Sequence, residues 1–227
     1  MVRFAFTLLA ALFFVPAVFA QQEAPKVQVF GGFALFHADQ AGLNGAVVGY
    51  ALDQPPSLFQ MRSFYLGGEA QAQYNATKWV GIAIDFGGRS GQPFEAPSSV
   101  TGIPTLSSYS ILAGPVISYR TKSTFTPYIH TLLGWERTSL SGSTIHGPLG
   151  SITGVGTTYN DFVMALGAGL DCKLNHRFAL RLAQVDWYHT SINQNLFYGS
   201  AYGPGRFLRL GNHEDNIRIS TGVVVKF

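Results

Sequence analysis

Charge is what this chain has least of. Only 12% of its 227 residues are charged, about half the share of an ordinary soluble domain, beside 47% hydrophobic and 14% aromatic residues. Such a chain offers little surface to water. Long hydrophobic runs are missing too: past the N-terminus no apolar stretch reaches the roughly 18 to 20 residues a membrane helix needs. That leaves the closed β-barrel as the membrane solution, because it alone satisfies every backbone group without a long apolar run. Cysteine is nearly absent. Cys172 stands alone, so no internal disulfide staples the fold, and its expected role is an apolar filler on an outward strand face. A net charge of +3 without a basic run gives no footing for nucleic acid. His37, His130, His146, His176 and His213 lack paired metal spacing, and no glycine leads into the Lys-Ser/Thr of a phosphate loop. No metal and no cofactor is expected.

The N-terminus is laid out for export. Arg3 supplies a positive start, Phe4 to Phe19 an apolar core, and Val18 and Ala20 the small residues that precede a cleavage site. Residues 1–20 therefore read as a signal peptide and residues 21–227 as the mature chain.

What the mature chain does contain is alternation. In the closing stretch NIRISTGVVVKF, Ile217, Ile219, Thr221, Val223, Val225 and Phe227 form one apolar or β-branched row, and Asn216, Arg218, Ser220, Gly222, Val224 and Lys226 the other. Period two means strand, and one row for hydrocarbon with one for a narrow polar interior is the pattern of a transmembrane barrel. Similar stretches run from about 27 to 38, 63 to 74, 79 to 87, 108 to 120, 125 to 138, 161 to 174 and 177 to 190. Two carry irregularities. Pro115 interrupts the fourth and counts against a central strand unless a bulge sits there. Arg181 and Asp186, an odd number apart, cannot both face inward without a bulge near Ala183 or Gln184.

The connections alternate. Long segments at 39–62, 88–107, 139–160 and 191–215 are separated by short turns at 75–78, 121–124 and 175–176. Short periplasmic turns and long outer loops are how bacterial barrels are strung together. The expected fold is all-β: an eight-stranded antiparallel up-and-down transmembrane β-barrel in the bacterial outer membrane, with both mature termini periplasmic. Aromatics then fall into two groups. Phe30, Tyr74, Trp79, Tyr119, Phe125, Phe178 and Phe227 fall at the turn end, and Phe36, Phe64, Phe86, Tyr109, Trp135, Phe162 and Tyr188 at the loop end, as two interfacial belts require.

The runs RLAQVDWYHT and NIRISTGVVVKF resemble the end of the barrel domain in OmpA-like outer-membrane proteins, and FTPYIHTLLGWER with FVMALGAGLD resembles its middle hairpins. The resemblance implies a terminal strand, closed by Phe227, that is read by the barrel-assembly machinery. The sequence departs from OmpA in carrying no peptidoglycan-binding domain after the barrel, so no cell-wall anchor is expected.

Eight strands enclose an interior just wide enough for side chains. Glu69, Asp85, Glu136, Asp171 and Asp186 can face inward together with Arg89, Lys173, Arg181 and Arg218, a nearly balanced set expected to pair and fill the lumen. The expected role is non-enzymatic: envelope structure, adhesion or binding of an extracellular ligand through the outer loops, with membrane lipid and lipopolysaccharide as surroundings. A narrow ion channel is one alternative. The other is a lipid A-modifying hydrolase, since His189 and Ser191 at the start of the last loop are reminiscent of barrel lipid A deacylases. There Glu214 would be the carboxylate available to orient His189, but Ile192 stands where those enzymes have Asn.

Overall fold

A computed structural model describes residues 25–37, 60–61, 63–95, 98–141, 144–147, 150–153, 157–191, 195–200, 203–209 and 213–227. The expected signal peptide and most of the segment 39–62 lie outside the described residues. Eight strands form the barrel: Val27–His37, Phe64–Asn75, Val80–Gly91, Thr105–Ser118, Phe125–Ser141, Thr157–Lys173, Phe178–Ser191 and His213–Lys226. Each pairs antiparallel with its neighbours in sequence, and the first pairs with the eighth, from Gln28↔Lys226 to His37↔Ile217. The ladder is therefore closed and leaves no barrel edge. Among the described residues no helix is long and apolar enough to cross a membrane.

The period-two rows sort as the sequence implies. Phe33, Leu66, Ile82, Ile111, Leu133, Leu166, Val185 and Ile219 stand exposed on the outer face, where only hydrocarbon can cover so continuous an apolar surface. The inner rows are buried and largely polar. In the turn between the sixth and seventh strands, Asn175 Oδ1 accepts the backbone N–H groups of Arg177 and Phe178, each at 2.8 Å. An Asn side chain that mimics a backbone turn in this way allows a short connection.

Both irregularities resolve physically. Against its neighbours the seventh strand carries one extra residue between Arg181 and Gln184. Leu182 and Ala183 both point outward there, so the expected bulge is present and Arg181 and Asp186 both face inward. Pro115 needs no bulge. It pairs with Ile82 of the third strand, while pairing to the fifth lapses after Ala113↔Leu133 and resumes in the same register at Val116↔His130. Proline has no N–H to donate, and the ladder to the fifth strand skips only Gly114 and Pro115.

The loops begin later than their polarity suggests. Gly88 to Gly91, Thr105 to Ser107, Ser139 to Ser141, Thr157 to Asn160 and His213 to Asp215 all belong to barrel strands. Hydroxyl pairs support these extensions, Ser90 with Ser107 and Ser139 with Thr158, each at 3.1 Å. Short hydroxylated residues resemble loop in composition, yet they pair well across strands. Beyond the barrel, neighbouring loops are tied together. Gln60–Met61 pairs with Phe94–Glu95, Thr101 bridges to His146, and hairpins form between Thr144–Gly147 and Gly150–Thr153 and between Asn195–Ser200 and Gly203–Arg209.

The aromatic belts need one correction. Phe30, Phe36 and Tyr188 are buried in the lumen instead of facing lipid. Their strand parity puts them on the inner rows, where they stack on arginines.

Candidate functional site

Three arginines from three strands occupy the lumen in succession from the turn end outward, and each lies over an aromatic ring. Arg181 of the seventh strand comes first, 4.2 Å from the Phe30 ring centroid and 4.6 Å from that of Tyr128. Its Nε donates to Asp171 Oδ1 at 3.0 Å, and its Nη1 donates to Gln184 Oε1 at 2.6 Å and Gln71 Oε1 at 3.1 Å. Planar guanidinium groups suit this combination of stacking and forked donation.

Arg218 of the eighth strand holds the middle and is fully buried, with Tyr188 5.3 Å from its guanidinium carbon. Nε donates to Asp186 Oδ2 at 2.7 Å and Nη1 to Asp85 Oδ1 at 2.8 Å, and Glu69 Oε2 lies 3.5 Å from Nε. One cation thus serves three buried carboxylates. Neutral donors from two strands complete the arrangement: Gln184 Nε2 donates to Glu69 at 2.9 Å and Asp186 at 2.8 Å, and Ser220 donates to Glu69. His130 Nε2 lies 2.8 Å from Asp186 Oδ1. An unpaired charge buried here would cost roughly 3–5 kcal/mol, as breaking a buried ion pair does.

Arg89 of the third strand closes the outer layer. Its Nη2 donates to Glu136 Oε1 at 2.8 Å, and Ser108 donates to the same oxygen. The Phe36 ring lies 5.1 Å from the guanidinium. Leu112, Leu132, Val163 and Ala165, all fully buried, form an apolar cluster with Tyr128 and Tyr188, the rings under Arg181 and Arg218.

Of the expected lumen charges, the structure brings Glu69, Asp85, Arg89, Glu136, Asp171, Arg181, Asp186 and Arg218 together in buried pairs. Lys173 shares their parity but is exposed at the end of its strand, outside the paired layers, because the sixth strand finishes there. Without it the described interior holds six buried carboxylates, Asp161 included, against three arginines, so the expected near-balance gives way to sharing through neutral groups.

Gln184 links the layers by accepting from Arg181 and Tyr128 while donating to Glu69 and Asp186. The sequence points to Gln184 only as a bulge position and assigns neither Gln184 nor Tyr128 nor Gln71 to the charge network; the signal for Gln184 was that bulge, which turns it inward.

His189 and Ser191 share the outward parity, and His189 Nδ1 lies 2.7 Å from Asp215 Oδ1. The carboxylate on the imidazole is Asp215 and not Glu214, because Asp215 is the cross-strand partner of His189, whereas Glu214 pairs with Thr190. Among the described residues no group of three His, Cys, Asp or Glu side chains is arranged to hold a metal ion.

A family model described as the outer membrane protein beta-barrel domain matches residues 5–227. No curated protein matches the chain by sequence. Among solved structures, the chain is similar to the outer membrane protein OprG of Pseudomonas aeruginosa, at 12% identity and a TM-score of 0.57 over 91% of this chain and 97% of that one. It is also similar to Neisserial surface protein A, at 16% identity and a TM-score of 0.54 over 91% of this chain and all of that one. The attachment invasion locus protein Ail of Yersinia pestis is a further likeness, at 14% identity and a TM-score of 0.52 over 90% of this chain and all of that one. At such identities the likeness is one of fold.

Proposed function

The chain belongs to the outer membrane protein β-barrel domain family, and from that premise we propose that it is a non-enzymatic, sealed scaffold that works through its outer loops in adhesion or ligand binding. The observation that carries this reading is the stack of arginine layers, in which Arg181, Arg218 and Arg89 are each bound to a buried carboxylate. An eight-stranded interior has little room beyond its side chains, and here those side chains are bonded to one another. What is accessible lies outside the barrel, where rigid scaffolds usually present their specificity. The linked loop segments form the presented surface, the short turns and both termini face the periplasm, and lipid with lipopolysaccharide surrounds the outer wall. Phe227 at the end of the eighth strand is the element offered to the barrel-assembly machinery.

Replacing residues 195–209 by a short Gly-Ser linker tests the reading. Cells carrying the replaced chain should lose attachment to extracellular-matrix surfaces that wild-type cells show, while the barrel keeps its gel mobility. Attachment that is equal in wild-type, replaced and deletion strains would count against an adhesive role.

A second reading has its own observation. His189, oriented by Asp215 at 2.7 Å, stands two residues from Ser191 on the lipid-facing side near the loop end of the barrel. A carboxylate-oriented imidazole is the general base that a serine nucleophile on the same outward face requires. Mass spectrometry of lipid A from wild-type, His189→Ala and Ser191→Ala strains separates the readings: hydrolysis requires an acyl loss in wild type that both variants abolish.

A further inference from the structure

Charge is distributed along the barrel very unevenly. The turn at 75–78 carries Lys78, the turn at 121–124 is flanked by Arg120 and carries Lys122, and the turn at 174–177 carries Arg177 beside Lys173. The ends of the first and eighth strands add Lys26 and Lys226. Seven of the chain's fifteen Lys and Arg thus sit at one end. The Asp or Glu nearest them among the described residues is Asp171, which is already paired with Arg181 at 3.0 Å. Middle and outer levels of the barrel, by contrast, hold Glu69, Asp85, Asp186, Glu136, Asp161, Glu214 and Asp215.

One carboxylate, Asp171, attracts both Arg120 and Lys226 while it is bonded to Arg181, so seven cations share a single partly committed anion among the described Asp and Glu side chains. Arg120 donates to the carbonyl of Lys78 and to Asn75 Oδ1, both at 2.9 Å, so neutral acceptors hold it in place. Lys226 is half-buried, and Lys173 and Arg120 oppose its charge against the attraction of Asp171. Lys26, Lys122, Lys173 and Arg177 are exposed. Holding like charges together in this way is unfavourable unless an anion joins them.

The position of the ring indicates which anion. Tyr74, Tyr119, Phe125, Phe178 and Phe227 stand exposed on the outer wall at the same end. Trp79 packs on Tyr119 with ring centroids 5.0 Å apart, and Lys78 Nζ lies 5.1 Å from the Trp79 centroid. Aromatic residues of this kind mark the headgroup level of a bilayer. The cations therefore lie at the depth of lipid phosphates, continuous with the surface the barrel already presents to lipid, and basic residues at that level attract anionic headgroups.

We infer that the turn end of the barrel is a binding surface for anionic phospholipid, with Lys78, Lys122 and Arg177 contacting headgroup phosphates of the adjoining leaflet. Only the identity of that leaflet rests on the proposed orientation. Vesicles of the same composition in both leaflets make the test independent of it.

The purified mature protein is reconstituted into phosphatidylcholine vesicles, and spin-labelled phosphatidylglycerol is compared with spin-labelled phosphatidylcholine at the protein boundary. Wild type should enrich phosphatidylglycerol about threefold or more, and the preference should fall toward unity near 1 M salt, where the screening length is about 3 Å. The combined variant Lys78→Gln, Lys122→Gln and Arg177→Gln should lose the preference while keeping wild-type gel mobility. Arg137→Gln, exposed on the outer wall toward the loop end, should keep it. Equal association of the two lipids in wild type, or a preference that survives in the triple variant, would overturn the inference. So would retention on isolated peptidoglycan sacculi that the triple variant loses, without any lipid preference.

Discussion

Arg181 and Asp186 lie five residues apart on one strand, and both point into the lumen. The extra residue at Leu182–Ala183 reverses the parity between them. It lets one strand supply the cation of one layer and the carboxylate of the next, with Gln184 bonded to both sides. Deleting Ala183 should restore strict alternation and turn either Arg181 or Asp186 toward lipid. A charge facing the bilayer midplane costs roughly 2–4 kcal/mol in such barrels, so the deletion should markedly lower the urea midpoint in lipid vesicles, or abolish folding.

Arg218→Met should leave Glu69, Asp85 and Asp186 without their shared cation. Removing one partner of a buried pair costs about 3–5 kcal/mol. The expected result is a lower unfolding midpoint with no gain of ion conductance. The double variant Arg218→Met, Asp85→Asn should recover part of the loss.

Gly167 lies opposite Asp186, and a Cβ at that position would run into Asp186 Oδ1 and into His130 Nε2 at 2.6 Å. Gly167→Ala should break the hydrogen bond between His130 and Asp186 and cost about 1–3 kcal/mol, as overpacking does. Gly31 is the control, because a Cβ there meets nothing within 4 Å. Gly31→Ala should leave unfolding almost unchanged.

Orientation has a direct readout. An epitope inserted between Ser200 and Gly203 should be labelled on intact cells. One inserted at Lys122 should be labelled only after the outer membrane is permeabilised. The reverse pattern would invert the proposed topology.

Most of the fold could be read from the chain because a barrel wall has two solvents. Ile82, Ile84 and Phe86 against Ala83 and Asp85 show period two directly, and all eight strands were legible in this way. Their loop ends were not, since Ser107, Ser139 and Thr158 look like loop by composition and only cross-strand pairing reveals them as strand. The lumen charges were visible from parity, whereas their partners were not. That Arg218 serves three carboxylates depends on which strands face one another across the barrel. Lys173 was misplaced because parity gives a side chain's direction but not its depth. Phe30, Phe36 and Tyr188 were placed by depth alone, and parity would have put them inside.

The most direct test is conductance of the purified, refolded protein in planar bilayers, with Arg218→Met measured alongside. Three bonded arginine layers predict a silent wild-type barrel and a silent, less stable variant. Sustained single-channel steps from wild type, altered in size by Arg218→Met, would show that the interior is a gated path and would contradict the sealed scaffold.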